Sequence, residues 1–302
     1  AGAMGCLYGA YLSKHNDVTM LDVYEPQVES INQNGITVLE EDGAEQHFSN
    51  IRAMKSGTCK EVADLVIVFV KSTHTESSLE ENKELFGENT LVMTLQNGAG
   101  NDRKIAKYVK TENIIIGTSK HNSVNLGGGK IRHSGNGVTT IGSNLKENVH
   151  LQTVADLLSE AGFQSAVSDD IQRIIWSKLF VNLSINTFTA ITETPIAYMI
   201  ENQYAWDFAE KMICEAVDVA EADGTYFSYM EVLDMVHHVC ENAGKGYSSM
   251  YQDVKRCIPT EIDAINGAIV EQARRYNVSV PYNSLIVDLI HAIEGAYKYR
   301  KE

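Results

Sequence analysis

Between Trp176 and Asn186 the chain reads WSKLFVNLSIN, an apolar segment that carries Lys178, Asn182 and Asn186 at four-residue steps. At 3.6 residues per turn, such positions drift by about 40° per step, so on an α-helix the three form one polar stripe. Burying an ammonium and two amides without partners is expensive. The stripe therefore either finds a neighbouring carboxylate and backbone carbonyls, or it faces a ligand. In the second reading a desolvated lysine loses basicity and can give up a proton near neutrality. The amides can hold hydroxyl or carbonyl groups without adding charge.

A second group lies in SSMYQDVKRCIPTEIDAINGAI (248–269). Thr260 and Asp263, behind Pro259, have the spacing of a capping box and predict a helix start at Thr260. Glu261 is then left in the first turn. On spacing alone it reads as a carboxylate stabilised by the helix dipole.

A third group opens the chain. Gly2, Ala3, Met4 and Gly5 spell GAMG, the tail of a G-x-G-x-x-G pattern. Gly2 would let the backbone approach a pyrophosphate, and Gly5 would let the helix pack closely on a sheet. The phosphates would sit at the helix N-terminus, among its free N–H groups. The first glycine and the strand that carries it are expected to precede Ala1. Asp22 ends the next predicted strand, where a carboxylate can accept from a ribose 2′-hydroxyl; taken alone it is equally a turn residue. An acid here repels a 2′-phosphate and favours NAD, and the following Val23-Tyr24-Glu25 offers no base. Lys71, after the apolar run LVIVFV, is the cation candidate near the adenosine ribose or phosphates, or else a lysine in solvent.

These groups need elements to hold them. Residues 17–23 read as a strand, 26–34 as a helix stopped by Gly35, and 65–71 as a strand buried on both faces. A helical stretch at 74–85, a strand at 90–98, a helix near 101–109 and the strand IIIGTS (114–119) follow. This alternation predicts a doubly wound α/β domain. The glycine-rich 127–143 suits antiparallel hairpins at an edge. Beyond about residue 168 strands stop, SDD (168–170) can cap a long helix, and helical patterns recur at 203–222, 228–243, 260–276 and 282–298. The expected domains are 1–167, dinucleotide-binding, and 168–302, all-helical.

Composition narrows the classes. The 302 residues suffice for two domains, and 44% apolar content excludes a disordered chain. A net charge of −15 argues against nucleic-acid binding and means that an anionic substrate needs local cations. No uninterrupted apolar run reaches the roughly 18 residues of a membrane span. Five scattered cysteines and nine histidines show no ligand spacing, so no metal is expected, and a reducing cytoplasm is.

Taken together, the glycine-rich start, LQNGAGN (95–101), WSKLFVNLSIN, SSMYQDV and PTEIDAINGAI resemble the ketopantoate reductase (2-dehydropantoate 2-reductase) family along essentially the whole chain. The resemblance implies a Rossmann-type domain, an all-helical C-terminal domain of the 6-phosphogluconate-dehydrogenase type, and an active site in the cleft between them. It implies reduction of a small 2-oxo acid by NADPH or NADH to the D-2-hydroxy acid, in pantothenate biosynthesis. By position, Lys178 matches the general acid, Asn182 and Asn186 the amides that hold substrate, and Ser249 a serine on the substrate carboxylate. Glu261 matches the glutamate beside the nicotinamide and the lysine. Asn97 matches an asparagine at the nicotinamide ribose and substrate, and the backbone near Ser123 another cofactor contact.

Two positions depart from the family pattern. Val23 stands where many members carry an arginine for the NADPH 2′-phosphate, which leans towards NADH. Ile196 stands where the best-known members place an asparagine on the substrate. Both point towards an NAD-dependent D-2-hydroxyacid dehydrogenase of the D-mandelate dehydrogenase kind, for branched or aromatic 2-oxo acids. A reading of another class is a non-catalytic dinucleotide-binding sensor. Residues 203–243 are the candidate surface for a homodimer.

Overall fold

The computed structural model describes residues 1–300. The chain divides into two compact units, one of Ala1–Gln96 with Asn101–Ile171, the other of Asn97–Gly100 with the chain from Gln172 onwards. The tetrapeptide 97–100 thus belongs with the helical unit, although its sequence neighbours belong with the first.

The first unit is α/β. Its strands are β1 (Thr19–Asp22), β2 (Ile36–Leu39), β3 (Glu45–Phe48), β4 (Arg52–Lys55), β5 (Leu65–Val68), β6 (Leu91–Thr94), β7 (Ile114–Ser119), β8 (Asn122–Gly127), β9 (Lys130–Gly135), β10 (Thr139–Gly142) and β11 (Ser165–Val167). β1 and β4 form a parallel pair. A five-stranded sheet runs β11-β10-β7-β6-β5, parallel except where β10 meets β7. A four-stranded sheet runs β3-β2-β9-β8. The parallel strands and intervening helices, Ala3–Leu12, Glu25–Asn34 and Leu151–Ala161 among them, make the Rossmann-like arrangement that the alternation predicts.

Local chemistry explains the punctuation. The helix Glu25–Asn34 stops at Gly35, whose φ is +66° and whose added Cβ would lie 2.3 Å from the Phe48 carbonyl oxygen. Only glycine fits there. IIIGTS is buried throughout as β7, because it has a neighbour on each side. The apolar run after Leu65 behaves otherwise. It is a strand to Val68, paired with β6, and Leu65, Val66 and Ile67 are half-buried. The glycine-rich stretch does form a hairpin, β8–β9, turned by Gly127, Gly128 and Gly129 at positive φ. That hairpin joins the separate four-stranded sheet, whereas β10 inserts between β7 and β11. β2, β3 and β4 give no sequence signal: each has four residues, too few for a period to show.

A buried polar chain crosses the first unit. His121 and His133 are each 5% exposed; His121 Nδ1 lies 3.0 Å from His133 Nε2, and His133 Nδ1 lies 2.8 Å from Glu40 Oε2. The carboxylate can only accept, so His133 donates from Nδ1, His121 donates to His133, and His121 Nε2 keeps its lone pair. That nitrogen is buried without a partner among the described residues.

The second unit is helical. Its spine is the 22-residue helix Ile171–Thr192, which contains an 18-residue window with a mean hydropathy of 1.2. By length and composition it could span a bilayer, but Trp176, Leu179, Phe180, Leu183 and Ile185 are spent in this unit's core. Around it lie Gln203–Ala222, Tyr229–Ala243, Ser249–Lys255, Asn266–Tyr276 and Pro281–Gly295. All five cysteines are free, and no group of metal-binding side chains occurs among the described residues.

Candidate active site

The stripe helix is not α-helical throughout. It is α over Ile171–Val181, π over Asn182–Asn186, and α again over Thr187–Thr192. This corrects the uniform α-helical stripe expected from the sequence. From Lys178 to Asn182 the step is α-helical and overshoots one turn by about 40°. From Asn182 to Asn186 each turn takes an extra residue, so four residues fall short of a turn. The two errors oppose each other, and Asn186 returns towards the line of Lys178.

Lys178 and Asn182 are partly buried, and Asn186 is 7% exposed. Neither asparagine side chain makes a hydrogen bond to any described residue. The neighbouring hydroxyls do otherwise. Ser184 Oγ donates to Phe180 O at 2.7 Å, Thr187 Oγ1 to Leu183 O at 2.8 Å, and Thr189 Oγ1 to Ile185 O at 2.8 Å. These small side chains satisfy carbonyls of the widened turn and leave the two amides available.

Glu261 is not in the first turn of a regular helix. A 3-10 turn occupies Ile262–Ala264, the α-helix begins at Asn266, and Ile265 between them is non-helical at φ −100°, ψ −90°. The expected capping box does not form. Thr260 Oγ1 accepts from Ile262 N, but Asp263 reaches outwards to His291 Nε2 at 2.9 Å instead of back to Thr260. The Thr260 N–H is taken by Glu294 Oε1 at 2.7 Å. Held on this irregular turn, Glu261 Oε2 accepts from Asn97 Nδ2 at 2.9 Å. Next to it Gly98 has φ +91°, and an added Cβ would lie 2.0 Å from Ala264 O. Sequence reasoning singled out Asn97 and missed why Gly98 follows it; the NG dipeptide in LQNGAGN was the available signal.

Ser249 lies exposed at the start of Ser249–Lys255. Its neighbour Ser248 is the buried one: Ser248 Oγ accepts from Tyr251 N and meets Thr189 Oγ1 at 2.7 Å. Ser248 thus ties the helix bearing Ser249 to the spine, a role without a sequence signal beyond an N-cap preference. Ile196 is partly buried against the core, and its N–H donates to Gly246 O.

In the first unit, the helix Ala3–Leu12 starts at Gly2 with no side-chain cap, and the space beside the Gly2 Cα is open. The N–H groups of Ala3, Met4 and Gly5 have no acceptor within the helix, a donor set of the kind that suits an anion. The close packing expected at Gly5 occurs one turn later. A Cβ at Gly5 would make ordinary contact with Met20 at 3.6 Å, whereas at Gly9 it would lie 2.3 Å from Met20 Sδ. Asp22 Oδ1 accepts from Tyr24 N at 2.9 Å. Val23 is 70% exposed beside it. Lys71 is exposed after β5, and Ser123 on β8 keeps a buried hydroxyl without a partner.

A Rossmann-like unit followed by a helical unit bearing lysine, amides and a carboxylate is the layout of a dinucleotide-dependent oxidoreductase. The model of the family Ketopantoate reductase PanE/ApbA matches residues 1–146, and that of its C-terminal part matches residues 170–294. The chain belongs to the ketopantoate reductase family. It is 32% identical to the 2-dehydropantoate 2-reductase of Lactococcus lactis, over 99% of this chain and 97% of that protein. It is 31% identical to the enzyme of that name from Streptococcus pyogenes, over 98% and 96%. Among solved structures, D-mandelate dehydrogenase with NADH and anilino(oxo)acetate is similar, with a TM-score of 0.90, 29% identity, and coverage of 99% of this chain and 97% of that one.

Proposed function

We propose that this chain is a cytoplasmic, homodimeric 2-dehydropantoate 2-reductase that reduces its 2-oxo acid to the D-2-hydroxy acid. The observation that carries the reading is the Asn186 amide, 7% exposed yet hydrogen-bonded to no described residue, on the same helix face as Lys178. Its amide atoms are not among the orphaned buried ones, so they still reach solvent, where a substrate can take up their hydrogen bonds.

In this reading the ammonium of Lys178 offsets the substrate carboxylate and protonates the alkoxide oxygen as it develops. Asn182 and Asn186 hold the polar groups of the substrate, and Ser249 contacts its carboxylate. Glu261, oriented by Asn97, stands beside the lysine and the nicotinamide. Gly2, Ala3, Met4 and Gly5 hold the pyrophosphate, and Asp22, Lys71, Asn97 and Ser123 contact the rest of the dinucleotide. A bound nicotinamide supplies the hydride.

A second reading is an NADH-dependent D-2-hydroxyacid dehydrogenase for bulkier 2-oxo acids. It is favoured by the likeness to D-mandelate dehydrogenase, by Asp22 and Val23 where a base would hold a 2′-phosphate, and by apolar Ile196. The deciding experiment is steady-state reduction of 2-dehydropantoate, phenylglyoxylate and 2-oxoisocaproate, each with NADH and NADPH. The highest kcat/KM with 2-dehydropantoate is the expected result. A preference for NADH with phenylglyoxylate or 2-oxoisocaproate establishes the second reading, and absence of turnover with every pair overturns both.

A further inference from the structure

The widened turn that carries Asn182 and Asn186 is held from outside by a buried polar chain. Asn266, 0% exposed, donates from Nδ2 to Leu183 O at 3.2 Å, inside the π segment, and to Asn283 Oδ1 at 2.9 Å. Asn283, also 0% exposed, donates from Nδ2 to Glu215 Oε2 at 2.8 Å and to Met212 O at 3.2 Å. Glu215, 8% exposed, takes the backbone N–H groups of Tyr282 at 2.8 Å and Asn283 at 2.9 Å. One continuous chain therefore links Gln203–Ala222, Pro281–Gly295 and Asn266–Tyr276 to the π turn.

Its chemistry is not that of a stabilising core. A fully paired buried polar group is roughly neutral against an apolar one of the same shape. Asn266 is not fully paired: its Oδ1 is buried without a partner among the described residues. An orphaned acceptor of this kind is a net cost to stability. The residue is kept for its two donors, one of which ends on the π turn. Reverting that turn to regular α-helix would rotate Asn186 relative to Lys178 and pull Leu183 O off Asn266.

We infer that Asn266 is a positioning residue that sets the π turn and, through it, the direction of the Asn186 amide. This rests on Asn186 holding the 2-oxo acid. Glu215 and Asn283 orient Asn266 in turn: the carboxylate is fixed by the first N–H groups of Pro281–Gly295, and Asn283 passes that orientation on. The network thus connects the start of one helix to the substrate-facing side of another.

The test is a double-mutant cycle with 2-dehydropantoate as substrate. Asn186→Ala raises KM for the 2-oxo acid; if it does not, the site reading fails before the positioning question arises. Asn266→Leu, which keeps the volume and removes both donors, is expected to raise that KM by about tenfold or more and to leave the dinucleotide KM within about twofold. In the Asn186→Ala background, Asn266→Leu is expected to add nothing, because the group it positions is gone. Equal effects in both backgrounds, or a parallel rise in the dinucleotide KM, overturn the inference. If Asn266→Leu does not fold, Asn266→Ser, which keeps a shorter donor, is read through the same cycle, with the same non-additivity required.

Discussion

Asn97 donates its side-chain N–H to Glu261 Oε2 across 2.9 Å, joining residues 164 apart in the chain. The contact is possible because Gly98 lets the backbone pass under Ala264 O at a distance where no side chain fits. Gly98→Ala should therefore do more than remove a flexible residue. The Cβ would meet a backbone oxygen at 2.0 Å, on a φ of +91° that L-residues avoid. The expected loss is about 2 kcal/mol or more of stability, read from the denaturant midpoint, together with a fall in kcat/KM. An alanine variant with unchanged midpoint and activity would show that 97–100 moves freely on the Glu261 turn.

Lys178 is the proposed proton donor, and its removal separates an enzyme from a nucleotide sensor. Lys178→Ala should lower kcat by about 10²–10⁴-fold while dinucleotide binding, followed by fluorescence quenching, is retained. Retention of kcat within about threefold would exclude Lys178 as the acid.

In the proposed reading, cofactor choice turns on Asp22 and Val23. Asp22 presents a carboxylate at the end of β1, and Val23 leaves the following position exposed. Replacing Asp22 by Ala and Val23 by Arg together removes a like charge facing a 2′-phosphate and adds a bidentate donor. The ratio of kcat/KM for NADPH over NADH should rise by about tenfold or more. A ratio that does not move would place cofactor discrimination elsewhere on the first unit.

His121 makes stability depend on pH. Burial, assisted by His133, pushes its pKa down from the ordinary value near 6.5 to about 4. The folded protein keeps the ring neutral where the unfolded chain protonates it. The contribution is thus fully present above about pH 6.5 and is lost as the pH falls towards 4, at most about 3 kcal/mol. Denaturation at pH 7, 6, 5 and 4 should show a steeper loss in the wild type than in His121→Gln. Parallel curves would mean that His121 takes up its proton equally in the folded and the unfolded chain.

Much of the architecture is legible locally. Gly35 marks a helix end because its φ is positive, IIIGTS reads as a strand, and Asn202 caps Gln203–Ala222 where the pattern begins, accepting from Tyr204 and Ala205 N–H groups. The strands β2 to β4 are not legible, because four-residue segments such as EQHF and RAMK owe their conformation to neighbours across the sheet and not to their own pattern.

The same division holds in the site. Lys178, Asn182 and Asn186 are identifiable from residue type and spacing, because an ammonium and two amides set into an apolar helix carry a desolvation cost that calls for a reason, whereas Asn97 and Glu261 stand out only through the family resemblance. Their geometry is not. The π turn under Asn182–Asn186 depends on donors from Thr187 and Asn266, and the latter lies 83 residues from the carbonyl it holds. Glu261 leaves the capping-box pattern because Asp263 finds His291 and the Thr260 N–H finds Glu294, both on another helix. The chain itself determined which groups could do chemistry and the order of most elements around them. Only tertiary structure decided where those groups point, since side chains distant in sequence compete with local hydrogen bonds for the same carbonyls and N–H groups.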